Sequence, residues 1–145
     1  MKLIIYTDGG ARGNPGPAAV GVVIQQERKI LAQFGKRIGK TTNNVAEYTG
    51  VIEALAWLKN NPMNPASPAG RQLTDQPIIQ FFLDSNLVVN QLNGSFKIKD
   101  ANLRLLLAKI RTLEQEINGE IHYTHIPREQ NAQADLLVNG ALDGK

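Results

Sequence analysis

Cysteine is absent from the 145 residues of this chain. Disulfides, thiolate metal sites and cysteine-nucleophile chemistry are therefore excluded. Long hydrophobic runs are missing too: none approaches the ~18 apolar residues of a membrane span. The few apolar residues before Asp8 are too short for the core of a secretion signal. The expectation is a cytoplasmic protein with no membrane partner. Internal repeats, heptad arrays and low-complexity tracts are also lacking. Neither sign of charge dominates strongly. The formal net charge of +3 permits a nucleic-acid partner without implying one. An apolar content of 42% supports one core, and the length suits one domain, so 1–145 reads as a single domain and a monomer.

What the chain does have is a set of acids at telling places. Leu3 to Thr7 is apolar and β-branched, which reads as a central strand, and it ends on Asp8. Gly9 to Pro17 reads as a loop. A strand that delivers a carboxylate to its carboxyl end, before a Gly-rich turn, is where open α/β sheets hold ligands. Taken alone, Asp8 reads more readily as a turn residue, because Asp and Gly both suit turn geometry. Ala18–Gln26 and Ile30–Ile38 read as two further strands, and the short connections predict an antiparallel meander.

Val45, Tyr48, Ile52 and Leu55 recur at helical spacing. Asn44 and Glu47 fit a capping box at the start of that helix. Glu47 also heads an apolar row with Val51, Ala54 and Leu58. Residues 60–77 hold four of the seven prolines and read as a long surface loop. Ile78–Leu83 is a fourth strand, again ending on an acid, Asp84. Read by itself, Asp84 is an N-cap for a short helix over Ser85–Leu92.

Ala101–Ile117 is the clearest amphipathic helix, with Leu103, Leu106, Leu107, Ile110, Leu113 and Ile117 toward the core. Arg104, Lys109 and Arg111 are assigned to its solvated side. Glu120–Ile126 alternates as a fifth strand, and Arg128–Leu142 reads as a last helix. Asp135 lies beside the apolar side of that helix, one turn after Asn131. By itself it reads as a surface acid.

The order β-β-β-α-β-α-α-β-α makes strands one and four candidates for parallel neighbours, roughly 4.8 Å apart. Asp8 and Asp84 would then end adjacent strands at one edge. Two like charges about 4 Å apart repel by about 4 kcal/mol at an effective dielectric of 20. Four carboxylates would need protons or cations. Two divalent ions would neutralise them. Oxygen ligands, without cysteine or paired histidine, favour Mg²⁺ or Mn²⁺ over zinc. Such sites suit phosphate chemistry.

Four segments now become legible together: T-D-G-G-A-R-G-N-P-G-P around Asp8, T-T-N-N-V-A-E-Y around Glu47, L-D-S-N around Asp84, and H-I-P-R-E-Q-N-A-Q-A-D around Asp135. In order and spread they closely resemble the type 1 ribonuclease H family. The resemblance implies an α/β ribonuclease H-like fold. Its five-stranded mixed sheet would have strands 1–3 antiparallel and strands 4 and 5 parallel to strand 1, flanked by helices. It implies that Asp8, Glu47, Asp84 and Asp135 are metal-binding acids for two Mg²⁺ or Mn²⁺ ions. The implied reaction is hydrolysis of the RNA strand of an RNA/DNA hybrid to 5′-phosphate and 3′-hydroxyl ends. His125 resembles a histidine that assists proton transfer or product release. Gly9, Gly10, Asn14, Asn43 and Asn44 resemble the surface that approaches the hybrid. Lys40 and Thr42 resemble a pocket for a DNA-strand phosphate, and Ser85 follows the third acid on the substrate side.

The chain departs from that pattern in two places. Only Asn93 to Lys99 stands where many members carry a basic helix and loop, leaving Phe96, Lys97 and Lys99 to supply charge and a stacking face. Asp100 stands where the phosphate pocket often has Asn. Two alternatives are another nuclease of the same superfamily and a non-catalytic nucleic-acid-binding module. The T-T-N-N and G-N-P-G segments oppose the first. The retention of all four acids opposes the second.

Overall fold

A computed structural model describes residues 2–62 and 76–144. Most of the loop expected over 60–77 lies outside the described residues. Five strands form one sheet: β1 (Lys2–Ala11), β2 (Gly16–Gln26), β3 (Lys29–Thr41), β4 (Ile78–Leu83) and β5 (Glu120–His125). The helices are α1 (Asn43–Asn60), α2 (Asn86–Leu92), α3 (Ala101–Glu116) and α4 (Ala132–Leu142). A 3₁₀ turn over Arg128–Asn131 precedes α4. The strand order is β3-β2-β1-β4-β5. β1–β2 and β2–β3 pair antiparallel, while β1–β4 and β4–β5 pair parallel. This is the expected sheet.

Successive side chains on a strand point to opposite faces, which locates the helices. A Cβ on Gly9 would strike the backbone of Ala46 in α1, while one on Gly10 would reach the Val138 side chain in α4. The two helices therefore cover opposite faces of the sheet. Leu3 and Ile5 of β1, with Ile79, Phe81 and Leu83 of β4, are fully or almost fully buried in the core shared with α1 and α3. On the other face, Gly21 and Gly35 are cross-strand partners, and Cβ atoms there would lie 2.2 and 2.3 Å from the Ala134 and Leu137 carbonyl oxygens. The bare pair lets the α4 backbone lie directly on the sheet.

Several boundaries differ from the expectations. The stretch Gly9 to Pro17 is mostly strand. Gly9 and Gly10 pair with Val20 and Ala19, so the loop shrinks to 12–15. Gly9 serves the close passage of α1 rather than a turn. β3 is longer than Ile30–Ile38 because an edge strand open to solvent needs no apolar pattern to continue. A bulge at Ile38–Gly39 interrupts its register with β2, and Gly39 takes a φ of 86°.

The helix caps differ as well. Thr42, not Asn44, caps α1 by accepting from the Val45 N–H at 3.3 Å, so Glu47 plays no part in a capping box. Ser85, not Asp84, caps α2, accepting from the Val88 N–H at 3.3 Å. Both acids are thereby left free of the local jobs that competed for them. The Asp100 carboxylate accepts from the Leu103 N–H at 3.0 Å and caps α3, which occupies it structurally. Arg111 is only half exposed. It donates to the Leu92 carbonyl at the end of α2 and to both Glu114 oxygens at 3.0 Å. The Tyr123 hydroxyl donates to Glu114 at 2.6 Å. This network ties α2, α3 and β5 together. Among the described residues, no helix is long and apolar enough to cross a membrane.

Candidate active site

β1 and β4 run side by side, and Tyr6 pairs with Phe82. Asp8 and Asp84 each follow two residues later, so both carboxylates arrive at the same edge. α1 crosses β1 at Gly9, where Ala46 and Glu47 lie against the strand. That crossing brings Glu47 to the same point. Asp8, Glu47 and Asp84 offer carboxylate oxygens all within 4.8 Å of one another. Asp135, in the first turn of α4, lines the same cleft of about 410 Å³.

The electrostatics are strained. Asp8 and Glu47 are each only 7% exposed. Burial, then the Asp84 charge, pushes the Asp8 carboxyl up to about 7, with Asp135 adding to the effect. Burial, then Asp8 and Asp84, raises Glu47 well above the ordinary carboxylate range. The Glu47 Oε2 atom is buried without a hydrogen-bond partner. An orphaned buried oxygen beside two further carboxylates suits a hard divalent cation, which takes all-oxygen ligands. The residues present therefore fit such an ion.

Between the ordinary value of 3.8 and about 7, folded Asp8 keeps a proton that the unfolded chain has lost. The folded state then binds more protons, so its stability falls as pH rises through that window. In EDTA, the thermal midpoint of the wild type should fall relative to Asp8→Asn between about pH 4 and pH 7. Mg²⁺ should remove that difference, stabilising the wild type more as pH rises. Superimposed curves with and without Mg²⁺ would mean that the acids do not hold a cation.

The other sequence-predicted residues divide into two groups. Gly9, Gly10, Asn43, Asn44 and Ser85 line the carboxylate cleft. Asn14 is joined to that rim: its Oδ1 accepts from the Asn43 N–H at 3.0 Å, while Asn43 Oδ1 accepts from the Ala11 N–H at 2.9 Å. Lys40 is not brought in. It lines a separate hollow with Pro17, Ala18, Arg37, Gly39 and Leu142. Thr42 lies between the two regions, engaged as the α1 cap. His125 ends β5 opposite Leu83, the residue before Asp84. It is exposed, and it stands outside the residues that line the cleft.

A model of the RNase H family matches residues 1–143. The chain belongs to the RNase H family. Its relatives include a bifunctional protein of Mycobacterium tuberculosis, 38% identical over 99% of this chain and 36% of that protein. The chain thus spans about a third of the length of the first curated relatives it matches. The RNase H1 crystal structure from Halobacterium salinarum superposes with a TM-score of 0.85 at 36% identity, covering 100% of both chains. LC11-RNase H1, solved in complex with an RNA/DNA hybrid, gives a TM-score of 0.85 at 45% identity, covering 98% of this chain and 97% of that one.

Within this RNase H site, Asn131 has a part that its sequence context did not announce. It is 1% exposed. Its Nδ2 donates to the Thr7 carbonyl at 2.9 Å and to Asp84 Oδ2 at 3.0 Å. One amide thus ties the turn before α4 to β1 and fixes the Asp84 carboxylate. A lone Asn within a helix-like segment carries no local signal of that kind. Arg128 also lines the cleft and had no assigned role. Gly21 and Gly35 had a readable signal, since glycine inside a strand often marks close backbone approach.

Proposed function

We propose that this chain is an endonuclease that hydrolyses the RNA strand of RNA/DNA hybrids, leaving 5′-phosphate and 3′-hydroxyl ends, with two Mg²⁺ or Mn²⁺ ions. The observation that carries this reading is the convergence of Asp8, Glu47 and Asp84 within 4.8 Å, with Asp135 in the same cleft. Family membership and the hybrid bound to LC11-RNase H1 support the substrate.

Asp8, Glu47, Asp84 and Asp135 would hold the ions. When bound, two such ions lower the pKa of an attacking water and stabilise the leaving oxygen. Asn131 donates to Asp84 Oδ2 at 3.0 Å, which orients that ligand before substrate arrives. The Gly9–Gly10 backbone, Asn14, Asn43 and Asn44 form the rim on which a hybrid lies. Contacts to 2′-hydroxyls there would separate RNA from DNA. Ser85 extends that rim from the start of α2. Lys40 and Thr42 would meet a DNA-strand phosphate beyond the cleft. His125, exposed at the end of β5, would assist proton transfer or product release.

The test uses a hybrid labelled on its RNA strand with Mg²⁺ or Mn²⁺, beside single-stranded RNA, double-stranded RNA and duplex DNA. Internal cuts in the hybrid alone are expected, and His125→Ala should slow turnover without abolishing it. An intact hybrid under both metals would refute the proposal. Equal cutting of duplex DNA would move the chain to another activity of the superfamily.

A further inference from the structure

Arg128 is the first residue of the 3₁₀ turn between β5 and α4, and it lines the carboxylate cleft with Ser85 and Asp135. The turn is held on both sides. The Ile126 N–H donates to the Leu83 carbonyl at 2.8 Å, and Asn131 donates to the Thr7 carbonyl at 2.9 Å. The backbone that carries the guanidinium is thus fixed to β4 and β1. The side chain is exposed. Among the described residues it makes no ion pair or hydrogen bond. That is unexpected in a cleft with four carboxylates. The other arginine there, Arg12, is held by Asp143 at 2.6 Å and by Asn139 at 3.4 Å.

We infer that Arg128 binds a backbone phosphate of the cleaved strand next to the scissile linkage. The inference rests on the hydrolase reading above. Charge supports it. Four carboxylates with two divalent ions are neutral, so the anionic strand needs a further cation at the cleft wall. A planar guanidinium suits a phosphate, because two N–H groups can meet two oxygens. Arg128 stands on the wall formed by the Asp135 turn, so it reaches the strand that lies over the acids.

Hybrid binding is measured by fluorescence anisotropy in an Asp84→Asn background with Mg²⁺, where cleavage does not intervene. Adding Arg128→Ala should weaken binding about tenfold and reduce the slope of log Kd against log salt by about one. Arg128→Lys should restore the salt slope but only part of the affinity. An uncharged methylphosphonate next to the cut in the RNA strand should erase the difference that Arg128→Ala makes. In otherwise wild-type protein, Arg128→Ala should raise KM by a similar factor and change kcat less than about twofold. Unchanged affinity and salt slope would overturn the inference, whether or not the wild type cuts. So would erasure of the difference by a neutral linkage in the DNA strand alone. Failure of the wild type to cut, with these binding effects intact, would refute the hydrolase reading instead.

Discussion

Asp84→Asn should remove hydrolysis of the hybrid while leaving the fold in place. The replacement is nearly isosteric, and an amide oxygen can still accept the 3.0 Å hydrogen bond from Asn131. What disappears is one anionic ligand among three carboxylates within 4.8 Å. Loss of one preorganised charge-stabilising group costs on the order of 10³-fold in rate, or about 4 kcal/mol. The expected readout is a fall in kcat of at least about that size, with an unchanged far-UV spectrum. The metal-free variant should also melt higher than wild type at pH 7. Beyond burial, the Asp84 charge helps to raise both Asp8 and Glu47, so its removal relieves both. A variant that retains wild-type activity would exclude Asp84 from the catalytic set. A variant that loses activity and melts lower in EDTA would point to a structural role.

Gly9→Ala should damage both the fold and the site. Its Cβ would fall 2.2 Å from the Ala46 carbonyl carbon and oxygen, and 2.5 Å from the Glu47 nitrogen. All three are backbone atoms of a helix, so no side chain can swing aside. Either α1 lifts from β1 or β1 bends away. Overpacking of this kind costs about 3 kcal/mol. For a domain of this size that lowers the thermal midpoint by roughly 10 °C. Displacement by about 1 Å at the reacting centre costs on the order of 100-fold in rate. Because the collision is at Glu47 itself, activity should fall even at temperatures where the variant is fully folded. Gly10→Ala is the contrast: its Cβ would meet the Val138 side chain at 3.5 Å, an ordinary contact. If Gly9→Ala behaves like Gly10→Ala in urea unfolding and in rate, the tight crossing of α1 is not what places Glu47.

The same geometry explains what could be read from the sequence. Asp8 and Asp84 each end a buried apolar run, but singly they read as a turn residue and an N-cap, and only the element order that makes strands one and four candidate neighbours joined them. Glu47 heads an apolar row, yet by itself it read as one half of a capping box, and only the four segments taken together singled it out. Asp135 had no local mark. It lies on a half-buried helix face, and only the resemblance to a family singled it out. The extent of β1 was hidden because Gly9 and Gly10 look like a turn, yet both are ladder residues, and Gly9 lacks a side chain where a helix passes. The caps at Thr42 and Ser85 were missed by one or two residues. Asn and Asp neighbours compete for the same job, and only the backbone angles decide. Asn131 acts through a partner 47 residues away in Asp84, which no window along the chain contains.

Asp8, Gly21 and Gly35 form one continuous row across three strands. The row starts with a carboxylate and continues with two positions where the α4 backbone occupies the room a side chain would need. The helix that carries Asp135 is therefore levelled against the sheet by two missing methyl groups. A spontaneous change at Gly21 or Gly35 to any other amino acid would tilt Asp135 relative to Asp8 while leaving every acid in the chain intact. Inactivating lesions in such genes should therefore include changes at these two glycines as well as at the acids. A screen that tracks only the carboxylates would count those alleles as functional.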